Sequence, residues 1–211
     1  SFEIVEKINS IEIKVVQYAS STNQNWGYRI EEKFIFESDG CLKVAFKGET
    51  KLRGDNVPEM LPRIGFDLVF DNTFEAVSWY GNGPGESYRD SYAASYMGIF
   101  NKKVEEMHTD YIYPQENGAR TEVNWSELTS LTGKKVRFDF DTPVTFTSHD
   151  YSRMQLEKAK HTDELERGGD TFVTIDAIHS GLGSNSCGQE QYEKDKAKFE
   201  DFELSFVMTF E

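Results

Sequence analysis

Phe202-Glu203-Leu204-Ser205-Phe206-Val207-Met208-Thr209-Phe210 puts Phe202, Leu204, Phe206, Met208 and Phe210 on one side of an extended chain, with Glu203, Ser205 and Thr209 on the other. Successive strand side chains point to opposite faces, so this alternation predicts a half-buried β-strand. The same period recurs upstream, in Val136, Phe138 and Phe140, in Leu42, Val44 and Phe46, and in Ile11, Ile13 and Val15. Segments 28–36, 64–70, 74–80 and 171–178 also read as strands. Turn-forming clusters separate them: Ser38-Asp39-Gly40, Gly54-Asp55-Asn56, Gly81-Asn82-Gly83-Pro84-Gly85 and Gly168-Gly169-Asp170. One short helix is predicted. Ser152 and Gln155 form a capping box, Met154, Leu156 and Ala159 follow, and the helix should stop near 161–166. Gln191–Lys198 is highly charged and reads as a solvated loop or short helical turn. The expectation is a single all-β domain over 1–211, a many-stranded antiparallel sandwich with strands too numerous for one small barrel.

The totals agree. The 211 residues include 16 Phe and 10 Tyr. A chain this long buries roughly 70% of its unfolded surface, enough for a proper core. Lys and Arg number 23 against 37 Asp and Glu, for a net charge of −14. That balance argues against nucleic acid and anionic membranes as partners. No apolar run approaches the ~20 residues of a membrane-spanning helix. Cys41 and Cys187 have neither disulfide-framework nor zinc spacing, and two free thiols suit a reducing, cytoplasmic compartment.

Four segments are polar, aromatic and turn-rich at once, a combination that carries function more often than core strands do. The first, Trp79 to Asp90, is glycine-rich without a dinucleotide fingerprint, and Arg89 between Glu86 and Asp90 is expected to hold it by ion pairs. The second, Tyr111 to Arg120, can grip sugar hydroxyls through Gln115, Glu116, Asn117 and Arg120, or form a buried network pinning loop to loop. The third, Thr147 to Ser152, places His149 beside Asp150 where the helix begins, and hydrogen-bonded capping is the simpler role. The fourth, Asp176 to Gly188, breaks from a strand into small residues that allow close approach of a ligand or another surface. It is the preferred contact element.

No catalytic motif stands out. Hydrolysis of a glycoside needs two carboxyls flanking the bond, and with 37 acidic residues some pair always looks plausible. His108, His149, His161 and His179 show no metal-binding spacing, and no nucleophile elbow occurs. The residues themselves end at a large β-sandwich with carbohydrate-compatible loops.

Taken in order, five strings resemble the C-terminal domain of the large family 2 β-galactosidases. They are Leu61-Pro62-Arg63-Ile64-Gly65, Trp79 to Asp90, Tyr113-Pro114-Gln115-Glu116-Asn117-Gly118, Ser148 to Leu165, and Ile175 to Gly188. The resemblance runs from about Ile30 to Glu211. In some bacteria this region is a separate small chain.

It implies a supersandwich similar to that of aldose 1-epimerases (galactose mutarotases). It also implies that the catalytic carboxylates, and the ligands of a catalytic magnesium, lie on a separate barrel. This chain then supplies no catalytic residue, metal or cofactor. Its implied partners are the barrel-bearing polypeptide, a β-galactoside such as lactose, and further subunits of an oligomer.

The implied sugar contacts are His179, Asn185, Ser186, Cys187 and Gly188. Here the sequence departs from the family, because a sugar-stacking Trp is expected at Cys187 or Gly188. Cys187 then lines the pocket as a small apolar group. The family domain also opens with strands ahead of the region matching Phe2–Tyr18, so the first strands are expected to be missing, and a sheet short of strands exposes edges that invite a partner. Two other readings stand beside this one. A stand-alone carbohydrate-binding module would bind galactose unaided, and a sugar epimerase would need His149 or His179 facing Glu116 in an open pocket.

Overall fold

A computed structural model describes residues 1–52, 54, 56–182 and 191–211. Eleven strands are described: β1 (Phe2–Lys7), β2 (Ser10–Ala19), β3 (Trp26–Glu37), β4 (Leu42–Leu52), β5 (Arg63–Phe70), β6 (Ala76–Gly83), β7 (Tyr96–Lys103), β8 (Arg120–Thr129), β9 (Lys135–His149), β10 (Thr171–His179) and β11 (Phe202–Phe210). One α-helix, α1 (Arg153–Lys158), accompanies them. The all-β, antiparallel expectation holds.

The hydrogen-bonded order is β1-β2-β3-β4-β11-β9-β8-β6-β7, and β10 pairs with both β9 and β5. The branch lies on β9. Its first half, Val136–Phe140, pairs with β11, and its second half, Thr145–His149, pairs with β10. Residues 141–143 between them pair with no strand. Pro143 lacks the N–H that a ladder needs, so the strand divides its partners there. Across from the fork, β8 shifts register twice around Glu122, whose φ is +56°.

The β10–β5 branch folds back over β4, β11 and β9. Phe66 of β5 meets Phe46 with ring centroids 4.9 Å apart and Phe206 at 6.2 Å, and Phe70 meets Phe138 at 6.1 Å. One continuous core results, centred on Trp79, Phe138, Phe146, Ile175 and Phe206.

Beyond β4 this cover ends. Cross-strand pairing puts Phe2, Ile4, Ile11, Ile13, Val15, Phe34 and Phe36 on the same face as the buried Val44, Phe206 and Met208. Toward β1 that face is open, with Phe2 76%, Ile4 56%, Ile11 45% and Phe36 44% exposed. The opposite face carries Glu12, which Lys7, Lys14 and Lys33 surround at 2.6–3.3 Å.

Several expectations need correcting. Gly81 to Gly83 belong to β6 rather than to a turn. A Cβ at Gly81 would meet Val123 Cγ2 at 2.8 Å, so glycine there serves close strand packing. Strands β1, β7 and β8 escaped the alternation. β7 is interrupted by Gly98, and in β8 the register shifts turn Ser126 inward. The Ser152–Gln155 capping box is present, but α1 ends at Lys158, and Lys160 N–H turns to the Glu164 carboxylate. The 191–198 stretch is not simply solvated, since Asp195, Lys196 and Ala197 are buried.

Candidate functional site

The functional segments converge where β5 begins and β6 and β10 end. Arg63 opens β5 and pairs in register with His179, which closes β10. Gly65 lies opposite Asp176. A Cβ on Gly65 would collide with the Asp176 carboxylate, so the bare backbone there makes room for a buried acid. Arg63 donates to Asp176 through Nε at 3.2 Å and Nη2 at 2.7 Å, and to Glu116 Oε2 through Nη1 at 3.0 Å. Glu116 Oε1 in turn lies 3.7 Å from His179 Nε2. One guanidinium therefore holds two carboxylates, a geometry that its planar fork suits.

Burial lifts the Asp176 and Glu116 carboxyls above their ordinary values, and Arg63 pulls both back. His179, 6% exposed, is pushed down to about 3 by burial and then by the Arg63 charge, so it is neutral. Its Nδ1 has no hydrogen-bond partner among the described residues. The Tyr88 ring lies 5.4 Å away, and burial raises its phenol well above the usual value.

The second segment wraps this brace. Glu86 accepts from the Tyr111 hydroxyl and from Gly118 N–H at 2.8 Å. Gly118 has φ +75°, and a Cβ there would strike the Met107 carbonyl and the His149 ring. His149 Nε2 donates to the Asn117 carbonyl at 3.0 Å. Its ring stacks on Tyr151 at 4.7 Å, and Tyr151 bonds His108 Nδ1 at 2.6 Å and Asn117 Nδ2 at 3.1 Å. Burial pushes His149 down to about 4. Arg120 donates to the Gly118, Ala119 and Pro84 carbonyls, tying the first segment to the second. The sequence left open whether Gln115–Arg120 grips a sugar or pins loops, and these contacts are pins.

Beside the brace, at the fork of β9, opens a cleft of about 500 Å³ lined by Asn82, Tyr92, Glu122, Thr145, His179 and Lys194. A second cleft of about 570 Å³ shares Arg89, Tyr92 and Lys194 with it. Arg89 does not hold its loop as expected. Glu86 is taken by Tyr111 and Gly118, Asp90 accepts from Leu182 N–H at 3.1 Å, and the Arg89 guanidinium makes one long contact, 3.4 Å to the Lys196 carbonyl. Of the expected sugar contacts, His179 sits at the cleft, while Asn185, Ser186, Cys187 and Gly188 lie outside the described residues. His179 and Glu116 are brought together, whereas His149 is turned to Asn117. Arg63 and Asp176, at the centre of the brace, went unassigned in the sequence. The signal was partial: Asp176 is the one acid within the largely apolar β10, whereas Arg63 opens β5, which also carries Asp67. Among the described residues no group of three or more His, Cys, Asp or Glu could hold a metal, and Cys41 is a free thiol. Among the described residues no helix is long and apolar enough to cross a membrane.

The family model for the β-galactosidase small chain matches residues 3–208. The chain belongs to that family. It is 34% identical over 174 residues to the β-galactosidase of Staphylococcus xylosus, covering 82% of this chain and 17% of that protein. The Lactococcus lactis β-galactosidase is 35% identical over 186 residues, with 85% and 17% covered, and that of Kluyveromyces lactis is 29% identical over 188 residues, with 88% and 18% covered. The chain thus spans under a fifth of the length of these relatives. In fold it resembles the galactose 1-epimerase of Lactobacillus acidophilus, with a TM-score of 0.50 at 8% identity, covering all of this chain and 65% of that one. The mutarotase-like expectation for the fold holds.

Proposed function

We propose that this chain is the part of a β-galactosidase that shapes and closes the galactoside pocket, while the bond-breaking carboxylates and any magnesium belong to the rest of the enzyme. One observation carries the reading: the carboxylates of the brace are spent on internal bonds. Asp176 and Glu116 are held by Arg63, and Glu86 by Tyr111 and Gly118, whereas a glycosidase needs two carboxyls flanking an open site. What the brace does instead is fix the end of β10 at His179. His179, Asn185, Ser186, Cys187 and Gly188 remain the proposed galactoside contacts, with lactose the representative substrate. The open apolar face of β1–β3 supports a second element of the proposal, that further strands of the larger protein complete this domain. A cytoplasmic, oligomeric enzyme is part of the same reading.

The test is reconstitution. The purified chain should leave a chromogenic galactoside intact, and hydrolysis should appear when the remaining β-galactosidase polypeptide is added. Hydrolysis by the chain alone would overturn the reading. The His179–Glu116 contact gives the epimerase alternative its one foothold, and anomer interconversion of galactose followed by NMR should stay at the buffer rate.

A further inference from the structure

The two clefts share a wall whose side chains the brace does not use. Tyr92 is 52% exposed and Tyr192 68% exposed, and between the first ring and β7 run only the small residues Ala93, Ala94 and Ser95. Arg89 and Lys194 line both clefts. Neither is within ion-pair distance of a carboxylate among the described residues. Among the described residues Arg89 makes only its 3.4 Å contact to the Lys196 carbonyl, and Lys194 lies 6.0 Å over the Tyr192 ring.

The acids of this wall, by contrast, are turned inward. Glu86 and Asp90 accept bonds from within the chain, and Asp195 is 5% exposed. Two exceptions face outward, Glu122 on the far side of the first cleft and Glu193, which Lys196 and Lys198 pair at 2.9 and 3.5 Å. In a chain of net charge −14, the wall therefore presents two available cations flanked by two exposed phenol rings. Arg and Tyr are the residue types that dominate binding energy at protein interfaces, and small residues between them permit close backbone approach.

We propose that the Arg89–Tyr92–Tyr192–Lys194 wall is the docking surface for an acidic loop of the β-galactosidase polypeptide that lies beyond this region. This deepens the proposed function and rests on it. Charge complementarity names the occupant: the two cations favour a segment carrying carboxylates, and the rings stack on its backbone or apolar side chains. Contact there sets the 179–182 segment, which Asp90 holds through Leu182 N–H, against the partner's pocket.

The experiment measures association calorimetrically between this chain and the remaining β-galactosidase polypeptide, with hydrolysis recorded separately. For wild type, affinity should fall as salt rises. The double charge reversal R89E/K194E should weaken association at least about tenfold and flatten the salt dependence, because rim charges act through long-range attraction. At saturating chain, kcat should match wild type. Y92A should also weaken association, while R89K should restore most of it. Thermal unfolding of each variant, all at exposed positions, checks that the fold is intact.

If R89E/K194E and Y92A associate as wild type does, the inference falls while the proposed function stands. If association follows the prediction but no hydrolysis appears, the function falls and the docking surface stands. If the wild-type chain does not associate, both fall. If Y92A abolishes lactose binding seen by NMR on the chain yet leaves assembly unchanged, the wall is a sugar subsite and the inference is overturned.

Discussion

Gly65 and Asp176 are cross-strand neighbours, and the carboxylate occupies the space a Gly65 side chain would fill. G65A should therefore cost about 1–3 kcal/mol, read as a lower urea midpoint. Arg63 supports the same acid from the other side. R63A leaves a fully buried carboxylate without its cation, and about 3–5 kcal/mol should be lost. D176N, which removes the charge and keeps the shape, should cost less. His149 is one of two buried histidines, with His179, that make stability depend on pH. Its folded value is about 4, against an unfolded value near 6.5. Below pH 6.5 the unfolded chain takes up a proton that the folded chain refuses, so stability is full above that pH and declines as pH falls toward 4. The loss approaches about 3 kcal/mol. H149Q, which still donates to the Asn117 carbonyl, should reduce the fall of the urea midpoint over that window without abolishing it, because His179, held down to about 3, resists protonation over the same range. The residue types of this site were legible in the sequence, and the pairings were not. Glu116 and His179 were named as possible partners, but Arg89 was matched to its chain neighbours Glu86 and Asp90, which bond elsewhere. Sequence proximity says little about ion pairs when a loop folds both acids inward.

Elements read well where one face stays buried throughout. β11 shows its alternation plainly because it runs unbroken between β4 and β9. β8 does not, because the fork forces it to bulge at Glu122 and changes which side chains turn inward. The joint depends on Phe138, which is fully buried, meets Phe70, Phe140 and Phe206, and ties β9 to the overlying β5. F138A should lower stability by about 3–5 kcal/mol in denaturant titration. By comparison α1 is a light element. Its capping box was legible because it is local, and S152A should cost only about 1 kcal/mol.

At the scale of the whole molecule, the apolar face of β1–β3 is the feature composition could not foretell. Alternation predicted that Ile11, Ile13 and Val15 share a face, but not whether anything lies over it. The isolated chain should bind a hydrophobic dye such as ANS through this face, and I4K/I11K should remove most of that fluorescence without lowering the urea midpoint. Unchanged dye binding would mean that the surface is covered in solution.

The position of β11 has a consequence for how the protein is made. This strand comes after all the others in chain order among the described residues, yet it forms the only ladder there that joins β1–β4 to β9. On the ribosome, the β1–β4 meander must wait with an unpaired border until β11 emerges. Such a wait exposes the nascent chain to chaperones and to aggregation. Deleting Phe202–Phe210 would then leave two half-sheets with no seam between them, and the product should be recovered as insoluble material.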